Sequence, residues 1–202
     1  MAKPDIESRL AEAAFKLLAS KKWADLTLAS VARLARIPLA QLLLVAPSRP
    51  ALLGLMLNRL SQDTARRYRP DRASQSARDR VFDVSMTWFS VARPRRKALH
   101  NLHEGLRRDP ATLLGARRDI LGAAEWILVL AEADVGRAMP VRVAIVSGIF
   151  ACILPIWLTD DDEMGKTMAA LDRSLRNAER FLWPRQSPKK KAHTAPHKKR
   201  KF

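Results

Sequence analysis

Residues 27–53 read TLASVARLARIPLAQLLLVAPSRPALL, and they contain three helix starts in quick succession. Thr27 is a good N-cap, and Leu28, Val31, Ala32 and Ala35 recur behind it at helical spacing. Arg36 and Ile37 leave room for a tight turn. Pro38 suits the first turn of a second helix, where its missing N–H would be unpaired anyway. Ser48 is placed to cap a third helix, with Pro50 again in a permitted first turn. Two short helices joined by a few residues form the skeleton of a helix-turn-helix.

Set against known sequences without a gap, residues 13–53 resemble the N-terminal domain of the TetR/AcrR family of one-component bacterial repressors. Ala13-Ala14-Phe15 and Leu17-Leu18 match that family's first helix, and Trp23 stands where an aromatic follows it. Thr27, Val31, Ala32 and Ala35 match the second helix. Ile37, Leu42, Pro47-Ser48-Arg49 and Ala51-Leu52-Leu53 match the surroundings of the recognition helix. The resemblance implies an all-α, TetR-like fold and a ligand-responsive, DNA-binding transcriptional regulator. It implies a helix-turn-helix domain over 1–53 and a helical ligand-binding and dimerisation domain over 54–183. On double-stranded DNA, Thr27 and Arg49 would hold phosphates, Arg33 and Arg36 would flank the backbone, and Gln41 would face bases. Backbone N–H groups near Thr27 and Ser48 would also face the DNA.

This chain departs from the family pattern at instructive places. Lys22, Arg36 and Ala40 stand where glycines are usual, and all seven glycines lie at Gly54 or later. Leu43, Leu44 and Val45 replace a phosphate-touching tyrosine and its polar neighbours. Within 38–46 only Gln41 carries a side chain that can hydrogen-bond a base edge. Base readout needs donors and acceptors, and phosphate grip needs cations or N–H groups.

The 202 residues are 48% hydrophobic, enough for one or two helical domains with a real core. No apolar run reaches the roughly 20 residues of a spanning helix: the longest are 127–131 and 143–158, the latter with Pro155 inside. Residues 1–20 carry Asp5, Glu7 and Glu12 and contain no signal-peptide core. The single cysteine, Cys152, excludes an internal disulfide and fits a reducing cytoplasm. Net charge is +17. Eight cations and no acid lie in 184–202, a low-complexity tail expected to be disordered. The remainder still carries +9, so attraction to polyanions does not rest on the tail alone.

Along the chain, a first helix is expected over 5–19, with Ile6, Leu10, Ala13 or Ala14, and Leu17 inward. A fourth runs from Pro50 toward Arg66, and Pro70 breaks the pattern in a loop over 66–72. A helix over 76–92 puts Val81, Val84, Ser85, Trp88 and Phe89 on one face. Leu99, Leu102 and Leu106 mark the next, and Pro110 opens a longer one reaching Ala131. After a break at 136–140, the apolar stretch 141–157 should be buried on most sides, and Pro155 should kink or end it. Thr159 with Asp160-Asp161-Asp162-Glu163 reads as the capped, acid-loaded start of a last helix. That helix carries Met164, Met168, Leu171, Leu175 and Phe181 inward and stops at Pro184. The pattern gives about nine helices and no strand.

No Gly-rich phosphate loop, nucleophile–His–acid signature or catalytic carboxylate pair stands out, so the chain reads as a non-enzyme with no cofactor. His100, His103 and Glu104 read as a polar helix face rather than a metal site. Cys152 reads as a small core residue. Trp88, Phe89, Trp126, Phe150 and Trp157, with Met139, Met164 and Met168, make either an ordinary core or the wall of an apolar ligand cavity. The TetR/AcrR resemblance adds an apolar small-molecule or lipid ligand held among the C-terminal helices, and a homodimer. A second resemblance covers 142–181, which looks like the end of the TetR-fold lipid-binding accessory protein of ubiquinone biosynthesis. The shared elements are an Arg-led apolar helix, an acidic turn, and Thr167 through Leu171-Asp172-Arg173 to Leu175. It implies a lipid-binding role with a helix-turn-helix that no longer reads DNA. The D-x-x-x-W-Y-T usual before that apolar helix is absent from 133–141.

Overall fold

The computed structural model describes residues 5–70, 76–133 and 138–183. The expectations for the loop at 71–72, the break at 136–137, the stop at Pro184 and the tail over 184–202 lie outside the described residues. Ten α-helices run through the described residues: α1 (Ile6–Leu18), α2 (Leu28–Ala35), α3 (Leu39–Val45), α4 (Arg49–Arg67), α5 (Ala77–Ala92), α6 (Arg96–Leu106), α7 (Pro110–Gly115), α8 (Arg117–Leu130), α9 (Met139–Thr159) and α10 (Gly165–Leu182). Single 3-10 turns lie at Trp23–Asp25 and Arg93–Arg95. Among the described residues there is no strand.

The helix starts follow local chemistry. The Asp5 carboxylate accepts from the Ser8 N–H at 2.7 Å and caps α1. Thr27 and Ser30 form a reciprocal capping box on α2, and Ser76 and Asp79 form one on α5. The Ser48 hydroxyl accepts from the Ala51 N–H to cap α4. Such a cap contributes about 1 kcal/mol. Pro38 is the N-cap residue of α3 rather than part of its first turn.

One continuous core runs from Leu10 on α1 to Leu182 on α10. α4 is its spine, packing on α1 at one side and on α5, α7 and α8 at the other. The boundary expected at 53/54 therefore falls inside α4. Ionic contacts knit the same junction. Glu12 on α1 takes Arg59 of α4 at 3.3 Å and also pairs with Arg95. Asp63 of α4 accepts from Arg59 and Arg95, each at 3.1 Å.

The second half differs from the expectations at several points. The helix expected from Pro110 to Ala131 is two, α7 and α8, which meet at Ala116. α9 continues through Pro155 to Thr159, because a proline removes one hydrogen bond while the flanking helix is held by α10. Counted through that proline, α9 is long and apolar enough to cross a membrane, which a run broken at Pro155 is not. Only about a third of its most apolar stretch is buried. Arg142, Val143, Val146, Ile153 and Trp157 point inward, while Val141, Ala144, Gly148, Cys152 and Pro155 face out. Cys152 is thus exposed rather than in the core.

The acidic run does not start α10. Thr159 ends α9, its hydroxyl donating back to the Pro155 and Ile156 carbonyls. Asp160, from outside α10, accepts from both the Thr167 N–H and the Thr167 hydroxyl at 2.7 Å. Burial pulls the Asp160 carboxyl upward, but the Thr167 and Asp161 hydrogen bonds outweigh it and hold it below the ordinary 3.8. On α10, Leu171, Leu175 and Leu182 are buried, whereas Met168 and Phe181, expected inward, are exposed.

Candidate functional site

Two places in the fold are candidates: the outer surface of α2–α3, and a cavity among α4, α6, α8 and α9. At the first, the turn between the helices is a Schellman closure. The Ile37 N–H donates to the Ala32 carbonyl and the Arg36 N–H to that of Arg33, with Arg36 at φ 54°. A side chain in that left-handed region is strained, which is why a glycine is the ordinary occupant. Arg9 of α1 reaches across to donate to the Ala35 carbonyl at 2.6 Å and the Arg36 carbonyl at 3.1 Å. Those contacts anchor the turn from outside.

Leu42 is the fully buried residue of α3, with Val45 half-buried. Gln41 is exposed, as are Thr27, Arg33, Arg36 and Ser48. Leu39, Leu43 and Leu44 are exposed too, Leu44 at 86%. The face that would enter a groove is thus mostly aliphatic.

The structure places Arg49 differently from expectation. Its guanidinium donates to the Trp23 carbonyl and stacks over the Trp23 ring at 4.4 Å. An aromatic face attracts such a cation, and the group is engaged inside rather than held out for phosphate. Trp23 is itself buried, and its indole N–H donates to Asp109 at 3.1 Å. Hydrogen bonds from the Thr112 hydroxyl and N–H, then from that indole, hold the Asp109 carboxyl below 3.8. A Cβ on Gly105 would stand 2.2 Å from the Trp23 Cβ, so glycine is required there by close approach. Trp23 therefore joins the helix-turn-helix to α6 and α7.

The cavity has a volume of about 320 Å³, at the lower end of the usual ligand-pocket range of about 300–1,000 Å³. Its walls are aliphatic and aromatic. Leu53 and Leu57 come from α4, Leu99, Leu102 and Leu106 from α6, Ile120 and Ile127 from α8, and Phe150 and Leu154 from α9. Of the expected ligand residues, Trp88 and Phe150 line it. Phe89 and Trp157 stand behind them in one aromatic cluster. The Phe89 and Phe150 rings stack at 5.2 Å, Trp88 meets both edge-on, and Phe89 lies 5.5 Å from Trp157. Trp126 is not on this wall: it is 45% exposed and borders a groove on the other side of α8. Met139 sits at the start of α9, away from the cavity.

Three polar side chains on the wall have no place in the sequence reading as ligand contacts: His103, Arg107 and Ser147. His103 on α6 and Arg107, the helical residue that caps its end, are four apart behind the Leu99, Leu102 and Leu106 stripe, a spacing that puts them on one face. His100 is exposed instead.

Among solved structures, the chain is similar to a TetR transcriptional regulator from Rhodococcus sp. RHA1. The two share 15% identity, the match covers 89% of this chain and 96% of that one, and the TM-score is 0.62. No protein-family profile matches the chain, and no curated protein does. The fold is all-α and TetR-like.

Proposed function

We propose that the protein is a TetR-type transcriptional regulator that binds DNA as a homodimer and answers to an apolar ligand. The observation that carries this reading is the shared wall. Leu53 and Leu57, on the cavity, belong to α4, whose capped first turn follows α3 directly. A ligand filling the cavity presses on the helix that positions the helix-turn-helix, which gives a bound state differential contacts to act through. Contact with DNA would come from Thr27, Arg33, Arg36, Gln41 and Ser48, with sequence preference resting on phosphate placement and DNA shape more than on base contacts. Arg49 would act on that surface indirectly, by holding Trp23.

The exposed apolar face of α9, with Met168 and Phe181 of α10, supports an isologous four-helix dimer contact. α9 then serves as a core and interface helix, and the protein works in the cytoplasm. The division into a reading part and a ligand-and-dimer part belongs to the same proposal, with α4 common to both.

The exposed Leu39, Leu43 and Leu44 favour a second reading, the lipid-binding accessory role, in which α3 no longer reads DNA. The two part company on ligand coupling. Apolar compounds that raise the melting temperature are added to a complex with the DNA upstream of the protein's own gene. A change of DNA affinity supports the regulator; binding of the compound with no DNA complex to perturb supports the accessory role.

A further inference from the structure

The cavity is almost wholly apolar inside, and the one formally charged side chain on its wall is a cation. Arg107 caps the end of α6, and its side chain is 68% exposed, so the guanidinium stands at the mouth rather than in the interior. His103 lies one turn deeper on the same face and is half-buried. Glu104, at 3.6 Å, is the acid paired with Arg107. It is an exposed neighbour on the same helix, and such pairs contribute little and are easily exchanged. A neutral hydrocarbon has no use for a guanidinium at the entrance. An anionic head does, because a carboxylate cannot enter apolar walls without a partner, and the guanidinium fork matches it with two parallel N–H donors.

Resting on the apolar-ligand reading of this cavity, we infer that its ligand is a single-chain anionic amphiphile, a long-chain carboxylate. The chain lies among Leu53, Leu57, Leu102, Ile127 and Phe150, and the carboxylate sits at Arg107 with His103 as a second donor. The small volume holds one acyl chain, not the paired chains of a membrane phospholipid. Because the same chain touches α4, the charged head is the selecting element and the tail the one felt by the helix-turn-helix.

The experiment compares three probes of equal chain length on the full chain, below their micelle concentrations: dodecanoate, dodecanol and dodecyltrimethylammonium. Affinity is read by quenching of tryptophan emission, Trp88 being on the wall. Dodecanoate is expected to bind about tenfold tighter than dodecanol, and dodecyltrimethylammonium more weakly than either. In Arg107→Gln the dodecanoate advantage falls to about twofold or less while dodecanol affinity is unchanged; in Arg107→Lys it is partly kept. The substituted side chain is exposed, so the fold is expected to be unaffected, and circular dichroism checks it. Equal binding of dodecanoate and dodecanol to the wild type overturns the inference and leaves the apolar cavity standing. So does an unchanged dodecanoate advantage in Arg107→Gln, or a preference for the cation. If none of the three binds, the inference and the cavity reading both fall.

Discussion

The guanidinium of Arg49 lies 4.4 Å from the centre of the Trp23 ring and donates to the carbonyl of the same residue. A residue whose place in the sequence points to phosphate is thus part of the joint between α4 and the turn that follows α1. Arg49→Ala is expected to cost about 1–2 kcal/mol of folding stability, from the lost stacking and a charged hydrogen bond. Gly105→Ala should cost more, about 2–3 kcal/mol, because its new methyl overlaps Trp23. Chemical denaturation monitored by tryptophan emission measures both. A neutral Gly105→Ala would show that the Trp23 joint is loose.

The turn between α2 and α3 is strained by its side chain. Arg36 at φ 54° occupies a conformation that costs a non-glycine residue about 1 kcal/mol or more. Arg36→Gly is expected to stabilise the fold by up to about 1 kcal/mol and to weaken DNA binding through the lost cation. Thermal melts and DNA titrations read the two effects separately. A lower melting temperature would mean that the Arg36 side chain contributes a contact larger than its strain.

Asp160 ties the end of α9 to the start of α10. Its carboxyl is held below the ordinary value in the folded state, so it contributes stability above pH 3.8 and loses that contribution as pH falls through its folded value. Asp109, Asp5 and Asp79 shift in the same direction and act in the same window. Asp160→Asn should lower the melting temperature at neutral pH and flatten the fall in stability below pH 3.8. Melts at neutral and acid pH, wild type against variant, test this; parallel curves would contradict it.

The caps show why part of this fold was legible from sequence. Thr27 and Ser48 act within three residues of themselves, so reading them as caps needed no tertiary knowledge. Asp160 was read as an acid in a first turn, yet it works from before the helix, because the chain bends at 160–164 and brings Thr167 to it. Periodicity also could not tell that Trp126 faces away from Trp88 and Phe150, since α8 has apolar residues around much of its circumference. His103 and Arg107 were hidden because a polar pair at helical spacing is ordinarily a solvated face.

In the proposed dimer the outward face of α9 is the contact surface. Gly148 lies on it, and a Cβ there would meet nothing within 4 Å of the single chain. Gly148→Arg should therefore fold normally and lose self-association, turning a particle of about twice 22.7 kDa into one of 22.7 kDa. Light scattering at micromolar concentration reads the mass. A wild-type mass of one chain, or a variant that still pairs, would contradict the interface.

The most direct test of the regulator account is a competition between the DNA upstream of the protein's own gene and random DNA near physiological salt. The Lys/Arg-rich residues 184–202 are removed so that sequence-independent attraction does not mask preference. Only Gln41 on α3 offers a base-edge contact, and such a contact is worth about 1–3 kcal/mol. The account predicts a measurable preference for the upstream region, reduced by Gln41→Ala while binding to random DNA is unchanged. Equal affinity for both DNAs, or no binding to either, would contradict it.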